Sequence, residues 1–477
     1  MAFTRRQFLC RSFGAFGAAA LAFERFGLFN ALAQSAGDYK ALVCVFLFGG
    51  NDAGNMVIPY TDYATYSAAR QAAGLAIPQA SLLQISPPSI AGSVFGLHPS
   101  LTGLHELWGM GKLAVVCNVG PLVEPTNRTS YRNGTVRVPL NLFSHSDQQN
   151  QWQTSVSDGA SSAGWGGRIA DNTGDMNITT FPPITSVAGT PIFTSGNSER
   201  PLAIAAAPTR LDGALRLDGF PNPPDNDARY KSMQSLLQSD QMLTDRMLTL
   251  VRGASLVTNE ALMVERALRT AGDPLVPPFP LNPRTSLGNQ LEQIAKLISL
   301  RGALGMNRQI FFCSLGGFDT HTGQVTGGVP ATGTHANLLA QVSGAMRVFY
   351  DAIAAMGLAD QVTTFTLSDF ARTQVPNGTR GTDHAWGAHH FVMGGAVRGG
   401  DLYGIPTSNG TVFPTLAPNG PDDTDSGTSA RGRWIPTAAV HQYGATLASW
   451  FGVINADLPA VFPNISRFNA TNLGFML

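Results

Sequence analysis

Five short apolar runs along the chain have the pattern of buried parallel strands. Each is a nearly continuous series of apolar, β-branched or aromatic residues that ends in glycine or in polar residues. The runs are Lys40–Phe48, Lys112–Val119, Gln309–Leu315, Gln361–Leu367 and His390–Val397. Between them, apolar residues at i, i+3 and i+4 spacing predict helices over Pro99–Met110, His335–Met356 and Pro436–Phe451. Strands that alternate with helices predict an α/β fold with a mostly parallel central sheet flanked by helices.

One segment, from about residue 225 to 271, interrupts this alternation. It contains almost no glycine or proline, its apolar residues have helical periodicity, and proline-rich stretches flank it on both sides. This pattern predicts a helical hairpin or cap inserted into the α/β domain. We expect the α/β domain itself to span residues 34–477.

The N-terminus has the pattern of a twin-arginine export signal. Arg5 and Arg6 precede an apolar, glycine- and alanine-rich stretch, and Ala31-Leu32-Ala33 has the small residues of a cleavage site. An amphipathic anchor is the alternative. The uncharged part is shorter than the roughly 20 residues of a spanning helix. We therefore expect residues 1–33 to be removed on export, which leaves a periplasmic or secreted protein without a transmembrane segment.

Composition narrows the possible partners. Charged residues make up 13% of the 477, the formal net charge is zero, and no basic run occurs beyond the N-terminus. These features exclude a nucleic-acid-binding surface of the usual kind.

Cys44, Cys117 and Cys313 each lie in an apolar run without a CxxC spacing, so buried free thiols are favoured over disulfides or a cysteine metal site.

Acidic residues follow three of the predicted strands. Asp52 comes after the first run, Asp319 with His321 after the third, and Asp369 after the fourth. Carboxyl ends of parallel strands meet at one edge of a sheet, where ligands bind. Carboxylates gathered there repel one another unless cations neutralise them, which favours a metal site. Taken singly, Asp52 also fits a turn and Asp369 a helix cap.

Asp383 and His384 precede the last strand run and add to this candidate site. Oxygen and imidazole ligands suit zinc, manganese or magnesium, and a calcium ion is a further possibility. We predict one or two divalent ions. The predicted metal ligands are Asp52, Asp319, His321, Asp369, Asp383 and His384.

A nucleophile is expected near the metals at a helix start, where backbone N–H groups hold an anion. Ser144 and Ser146 precede a polar helical run, and either also fits a plain N-cap. Ser146 is the first choice, with Ser144 left open. His145 would activate the hydroxyl or bind metal, and Arg372 would hold the transferring group through two parallel hydrogen bonds.

The ordered motifs resemble those of a bacterial family of exported proteins, domain of unknown function 1501. They cover nearly the whole mature chain: LFGGNDAGN at Leu47–Asn55, SHSDQQNQWQT at Ser144–Thr154, GWGGRIAD at Gly164–Asp171, GGFDTH at Gly316–His321, SDFARTQVPNG at Ser368–Gly378 and GTDHAWGAHHFVMGGAV at Gly381–Val397. That family is similar in turn to the alkaline phosphatase and sulfatase superfamily, whose enzymes bind two divalent metals and transfer phosphoryl or sulfuryl groups. The resemblance implies an alkaline-phosphatase-like fold.

The resemblance also implies roles for residues. Asp52 would match the metal-binding Asp after the first strand, Asp369 the strand-end Asp, and His384 the late His, with Ser146 or Ser144 as nucleophile. Two departures put one metal site in question. Phe370 stands where the superfamily commonly has a histidine, and the Asp319–His321 spacing is short, so His335 is an alternative partner.

Two functions from different classes follow. The first is an exported metal-dependent hydrolase of phosphate or sulfate esters, acting on a small molecule or a polymer through Ser146 or an activated water. The alternative is a non-catalytic exported binding protein that keeps the fold and binds a cell-surface or polysaccharide partner. The sequence contains no indication of oligomeric state.

Overall fold

A computed structural model describes residues 39–215, 217–242, 248–281 and 283–477. The predicted leader, residues 1–33 with Arg5 and Arg6, lies outside the described residues.

A mixed sheet, nine-stranded within the described residues, forms the centre of the molecule. Its spatial order is β11 (Leu402–Tyr403), β5 (Leu113–Gly120), β10 (Ala388–Met393), β9 (Val362–Ser368), β1 (Lys40–Leu47), β8 (Arg308–Leu315), β6 (Ile184–Ser186) and β7 (Leu202–Ala203), and β12 (Ala438–Ala439) also pairs with β5. β10 runs antiparallel to β5 and β9, whereas the other pairs are parallel. This confirms the predicted mostly parallel sheet.

Helices cover both faces of this sheet. They are α1 (Ala53–Met56), α2 (Tyr63–Arg70), α3 (Thr102–Gly109), α4 (Arg128–Asn133), α5 (His145–Thr154), α6 (Trp165–Thr173), α7 (Ala228–Gln241), α8 (Thr249–Ala271), α9 (Ser286–Ser299), α10 (Thr334–Ala355), α11 (Val440–Phe451) and α12 (Leu458–Val461). A small antiparallel sheet, β2 (Val57–Pro59), β4 (Phe95–Leu97) and β3 (Leu83–Ile85), lies apart from the main one.

The alternation of side chains along β1 divides the core into two clusters. Val43 and Val45 pack into the cluster that includes residues of α3, α9 and α10, whereas Cys44 and Phe46 pack into the cluster that includes residues of α5, α6 and α11. A strand covered on both faces has to be apolar at successive positions, which is why this run lacks a period-two pattern. Cys44, Cys117 and Cys313 are buried free thiols, as predicted.

α7 and α8 occupy the segment predicted as a helical insertion. They pack on each other through Tyr230, Leu237 and Leu262. One predicted helix starts later than the pattern indicates. Residues 436–439 do not join α11, because Ala438–Ala439 pair with the edge of β5 instead. Among the described helices, none has the length and hydropathy to cross a membrane.

The direction of β10 decides what meets at the functional edge. Because β10 is antiparallel to β9, its amino end lies at the same edge as the carboxyl ends of β1, β8 and β9. His384, four residues before β10, therefore reaches the residues that follow those three strands.

Candidate metal centre

Three histidines converge on one carboxylate oxygen at this edge. His145 is the first residue of α5, His321 and Asp319 follow β8, and His384 precedes β10. The distances from their Nε2 atoms to Oδ1 of Asp319 are 3.5 Å for His145, 3.2 Å for His321 and 3.7 Å for His384. We call these four residues the His/Asp cluster.

The other ring nitrogen of each histidine is held by a hydrogen-bond acceptor. His145 Nδ1 lies 2.7 Å from Oδ2 of Asp369, His321 Nδ1 3.0 Å from Oδ1 of Asp383, and His384 Nδ1 2.7 Å from the Phe143 carbonyl. Carbonyl and carboxylate oxygens accept, so each Nδ1 donates. In the neutral ring the proton is then on Nδ1, and Nε2 presents a lone pair to the cluster. This is the arrangement usual for metal-binding histidines.

The donor atoms fit a divalent cation. One atom each of His145, Asp319 and His384 lies within 4.8 Å of the others. His145 Nε2 is buried without a hydrogen-bond partner among the described residues. His321 and His384 bring their Nε2 atoms within 2.8 Å of each other. Lone pairs that face each other or stay unpartnered are unfavourable, and a bound cation would satisfy them.

Local electrostatics keep His384 and Asp319 in the forms that bind metal. Burial lowers the pKa of His384; the hydrogen bond to the Phe143 carbonyl opposes this shift and the charge of Arg372 reinforces it. Burial tends to raise the pKa of Asp319, but the hydrogen bond and charge of Arg372 outweigh it and lower the pKa. His384 is therefore held neutral and Asp319 ionised.

Two predicted ligands lie behind the imidazoles instead of in the cluster. Asp369 is buried, and its carboxylate accepts hydrogen bonds from His145, from Gln149 Nε2 at 2.7 Å and from the Gly49 amide at 3.1 Å. Asp383 accepts from His321 and Asn377 and pairs with Arg431 at 2.8 Å. Their oxygens orient the histidines, which differs from the direct ligation predicted for them.

Arg372 is occupied by the protein itself. Its side chain is buried, and it donates to the carbonyls of Gly49, Gly50 and Thr382 and to Asp319. The guanidinium therefore holds two strand-end loops and the Asp319 carboxylate in place. It is not free for the bidentate contact with a substrate that the sequence predicts.

Asp52 lies outside the cluster. Its carboxylate is fully buried and forms two hydrogen bonds with Arg70, at 2.6 and 2.9 Å, and one with Gln324, at 2.5 Å. The structure therefore gives no support to Asp52 as a metal ligand. The physical reason is that a buried arginine, 18 residues further along the chain, already neutralises it.

The hydroxyls of Ser144 and Ser146 donate hydrogen bonds to the carboxylate of Asp147. Ser144 Oγ donates to Asp147 at 2.6 Å and Ser146 Oγ to the same oxygen at 3.3 Å. Within the described residues, neither hydroxyl forms a hydrogen bond with the His/Asp cluster. Of the predicted catalytic residues, His145 belongs to the cluster and Arg372 contacts it through Asp319, whereas the described contacts of Ser146 lie outside it.

Aromatic rings and glycines shape the walls of the cluster. The Phe370 ring lies 4.7 Å from the His145 ring and 4.5 Å from the His384 ring, so it packs against both histidines, whose rings are 4.4 Å apart. A Cβ atom at Gly49 would lie 2.3 Å from the Asp319 amide, and the φ of Gly49, 115°, also favours glycine. His335, the alternative partner, is buried and bonded to Asn51 at 3.0 Å, away from the cluster.

Several contributing residues were missed in the sequence. Gln149 lies one helical turn after His145, and this i, i+4 spacing indicates in the sequence that both side chains lie on the same face of the helix. Phe143 contributes a backbone carbonyl from a left-handed conformation, φ 72°, which its side chain does not reveal. Arg70 comes from a helix outside the strand-end motifs, and Gln324 follows the Gly316–His321 motif without a charge or ring that marks it, so only the fold shows their roles.

Comparisons with known proteins give a family and distant structural likenesses. The family model described as "Protein of unknown function (DUF1501)" matches residues 39–412. No curated protein matches the chain.

Two solved structures illustrate the structural likenesses. The crystal structure of Ps i-CgsB in complex with k-i-k-neocarrahexaose is 10% identical, with 89% of this chain and 76% of that chain covered and a TM-score of 0.33. The crystal structure of the PsFucS1 sulfatase from Pseudoalteromonas sp. is also 10% identical, with 80% and 67% covered and a TM-score of 0.27. Similarity at this level does not assign the chemistry of the site, which depends on its own residues.

Proposed function

We propose a function from the His/Asp cluster, because the chain belongs to the DUF1501 family, whose function is unknown. The protein is an exported hydrolase of phosphate or sulfate esters that depends on a divalent metal. One observation carries the proposal. The imidazoles of His145, His321 and His384 are each held by a hydrogen bond at Nδ1. Their Nε2 atoms, which carry a lone pair in the neutral ring, face Asp319 Oδ1.

His145, Asp319 and His384 would hold the ion. Three protein ligands with room for a fourth are typical of catalytic zinc sites, and imidazole with carboxylate also suits manganese. A bound ion would act as a Lewis acid on an ester oxygen and offset the charge that develops there. The side chains of Asp319 and His384 are 48% and 23% exposed, so a ligand can reach them from solvent.

His321 has a different part in the proposed reaction. Its side chain is 41% exposed, the Asp383 carboxylate fixes its Nδ1, and its Nε2 faces the cluster. A histidine held in this way accepts a proton at Nε2 from an attacking water and returns it to the leaving group. Arg431, bonded to the other oxygen of Asp383, keeps that carboxylate ionised and in place.

The substrate class comes from the resemblance of the ordered motifs to the phosphatase and sulfatase superfamily. It covers esters of small molecules and of polymers alike. Export rests on Arg5, Arg6 and the apolar stretch after them, and it would deliver the folded protein to the periplasm or the exterior.

The contacts of Ser144 and Ser146 favour a second candidate. Because both hydroxyls bond to Asp147 and not to the cluster, neither serine is placed to act as its nucleophile in the part of the chain that the structure describes. A binding protein that keeps a metal to hold an anionic surface polymer would have the same contacts.

A metal analysis joined to an ester screen tests the proposal. The purified mature protein is expected to retain zinc or manganese after dialysis and to hydrolyse aryl phosphates or aryl sulfates. His384→Ala should lose both properties, whereas His105→Ala, on α3 with its ring bonded to the Gln84 carbonyl, should keep both. Metal retention without turnover of either ester class would favour the binding protein, and absence of metal would exclude both forms of the proposal.

A further inference from the structure

A buried ion pair lies where the resemblance implies a metal ligand, Asp52. Asp52 and Arg70 have no exposed side-chain surface. The two carboxylate oxygens accept from two different guanidinium nitrogens, Oδ2 from NH1 at 2.6 Å and Oδ1 from NH2 at 2.9 Å. This fork-to-fork geometry is the strongest that a carboxylate and an arginine form.

Every N–H of the Arg70 guanidinium is engaged, and every acceptor is an oxygen. Beyond Asp52, NH1 donates to the Asn55 side chain, NH2 to the Thr373 carbonyl at 3.1 Å, and Nε to the Gln374 carbonyl at 3.1 Å. Arginine has five N–H donors, and all five are satisfied here. Carboxylate, amide and carbonyl oxygens together are the ligand set that a hard divalent cation takes.

The acceptors come from the segments that follow β1 and β9, and the segment after β9 also carries His384 of the His/Asp cluster. Asp52 and Asn55 follow β1, and Thr373 and Gln374 follow β9 shortly after Asp369. Gln324, from the loop after β8 that carries Asp319, donates to Asp52. The guanidinium thus joins loops at the carboxyl ends of neighbouring strands, as a bridging cation would.

The charge of Arg70 also keeps Asp52 ionised inside the protein. Burial tends to raise the pKa of Asp52, but the charge and hydrogen bonds of Arg70 outweigh it, so the pKa is lowered. An ionised carboxylate without exposed surface needs a cation beside it, and Arg70 supplies one.

We infer that the Arg70 guanidinium stands in for a second metal ion, so that the chain binds one divalent ion and not two. The inference concerns the Asp52 position, and it rests on the proposed function only for the ion in the His/Asp cluster.

The first test compares metal content in the parent, Asp52→Asn and Asp319→Asn. Each mature protein is loaded with excess zinc, dialysed and analysed for bound metal. We expect the parent and Asp52→Asn to hold the same amount, one ion per chain, and Asp319→Asn to hold less than half of it. Two ions in the parent, with one lost in Asp52→Asn, would overturn the inference.

The second test uses stability, because removal of a partner from a buried ion pair is destabilising whether or not metal is present. The loss in melting temperature caused by Asp52→Asn should be the same with zinc and with EDTA. A loss that shrinks in EDTA would show that Asp52 binds metal. If Asp52→Asn is not recovered folded, Arg70→Lys serves, since lysine keeps the charge but cannot reach all five acceptors. If the parent protein binds no zinc, that result counts against the proposed function. A loss of melting temperature in the variant that is the same with and without zinc would still support the role of Arg70.

Discussion

His321 and His384 face each other through their Nε2 atoms, 2.8 Å apart. The Nδ1 of His321 donates to Asp383 and that of His384 to the Phe143 carbonyl. Two neutral rings held in this way bring lone pairs together, so the contact requires a cation, either a proton shared between the rings or a metal bound beside them. The same contact places a proton-accepting imidazole next to the proposed ligands.

The first prediction concerns metal occupancy. His145→Ala, Asp319→Asn and His384→Ala should each reduce bound zinc to less than half of the parent value, because each removes one of three mutually close donors. The measurement is elemental analysis after dialysis, with the melting temperature in zinc and in EDTA. His105→Ala is the matched control and should change neither. Equal zinc content across all four variants would remove the basis for the centre.

The sheet was predictable because its strands are buried on both faces. Runs such as Ala41–Leu47 have to be apolar at every position, and that pattern is visible in sequence without an alternation. The antiparallel direction of β10 was not predictable, because strand pairing depends on connections and packing. That direction is nevertheless what brings His384 to the edge where Asp319 and Asp369 lie.

The candidate site was predictable in its residue types and less so in their roles. Asp319, His321 and His384 meet as expected, since polar residues at strand ends gather at one edge. Which carboxylates face inward depends on partners that only the fold shows. Asp369 is covered by Gln149 and Gly49, and Asp52 is neutralised by Arg70.

The second prediction separates residues that orient ligands from the ligands themselves. Asp369→Asn should weaken zinc affinity roughly 10- to 100-fold while full loading is still reached at high zinc, because it removes the carboxylate that orients the ligand His145. Asp383→Asn should leave zinc affinity close to the parent value, because Asp383 orients His321, which is not one of the proposed ligands. Competition titration against a chelating dye measures the affinity. Asp351→Asn, an exposed residue on α10, is the control. Failure to load at any zinc concentration would identify Asp369 or Asp383 as a direct ligand.

The third prediction concerns the two serines. Ser144→Ala and Ser146→Ala should leave zinc content and ester turnover close to parent values, because both hydroxyls bond to Asp147. Each should cost at most about 1 kcal/mol of stability, the size of a lost capping interaction. Steady-state turnover and urea unfolding measure the two effects. Complete loss of turnover in Ser146→Ala with metal retained would restore that serine as the nucleophile, and the same loss in Ser144→Ala would assign the role there.

The fourth prediction concerns export. Replacing Arg5 and Arg6 together by lysine should leave uncleaved precursor in the cytoplasm, because the export receptor recognises the guanidinium pair and not charge alone. Fractionation of cells followed by immunoblotting shows the precursor and the mature form. Arg11→Lys, beyond the pair, should be exported normally. An unchanged periplasmic yield from the double variant would remove the twin-arginine assignment.

The last prediction is a loss of stability in mild acid, caused by buried histidines outside the metal centre. Burial lowers the pKa of His389 to about 3, and burial together with the charge of His389 lowers that of His390 to about 3. An unfolded histidine has a pKa near 6.5, so between these values the unfolded chain binds protons that the folded chain does not. Stability therefore falls as the pH drops below about 6.5, by up to about 1.4 kcal/mol per pH unit for each such histidine. Urea unfolding at pH 7 and at about pH 5, above the usual range of Asp and Glu, measures this loss. EDTA in both buffers removes any contribution from metal binding. The control is the variant His389→Gln. It should lose less stability between pH 7 and about pH 5 than the parent does, since glutamine does not titrate. An equal loss in the two proteins would mean that other groups govern the acid sensitivity.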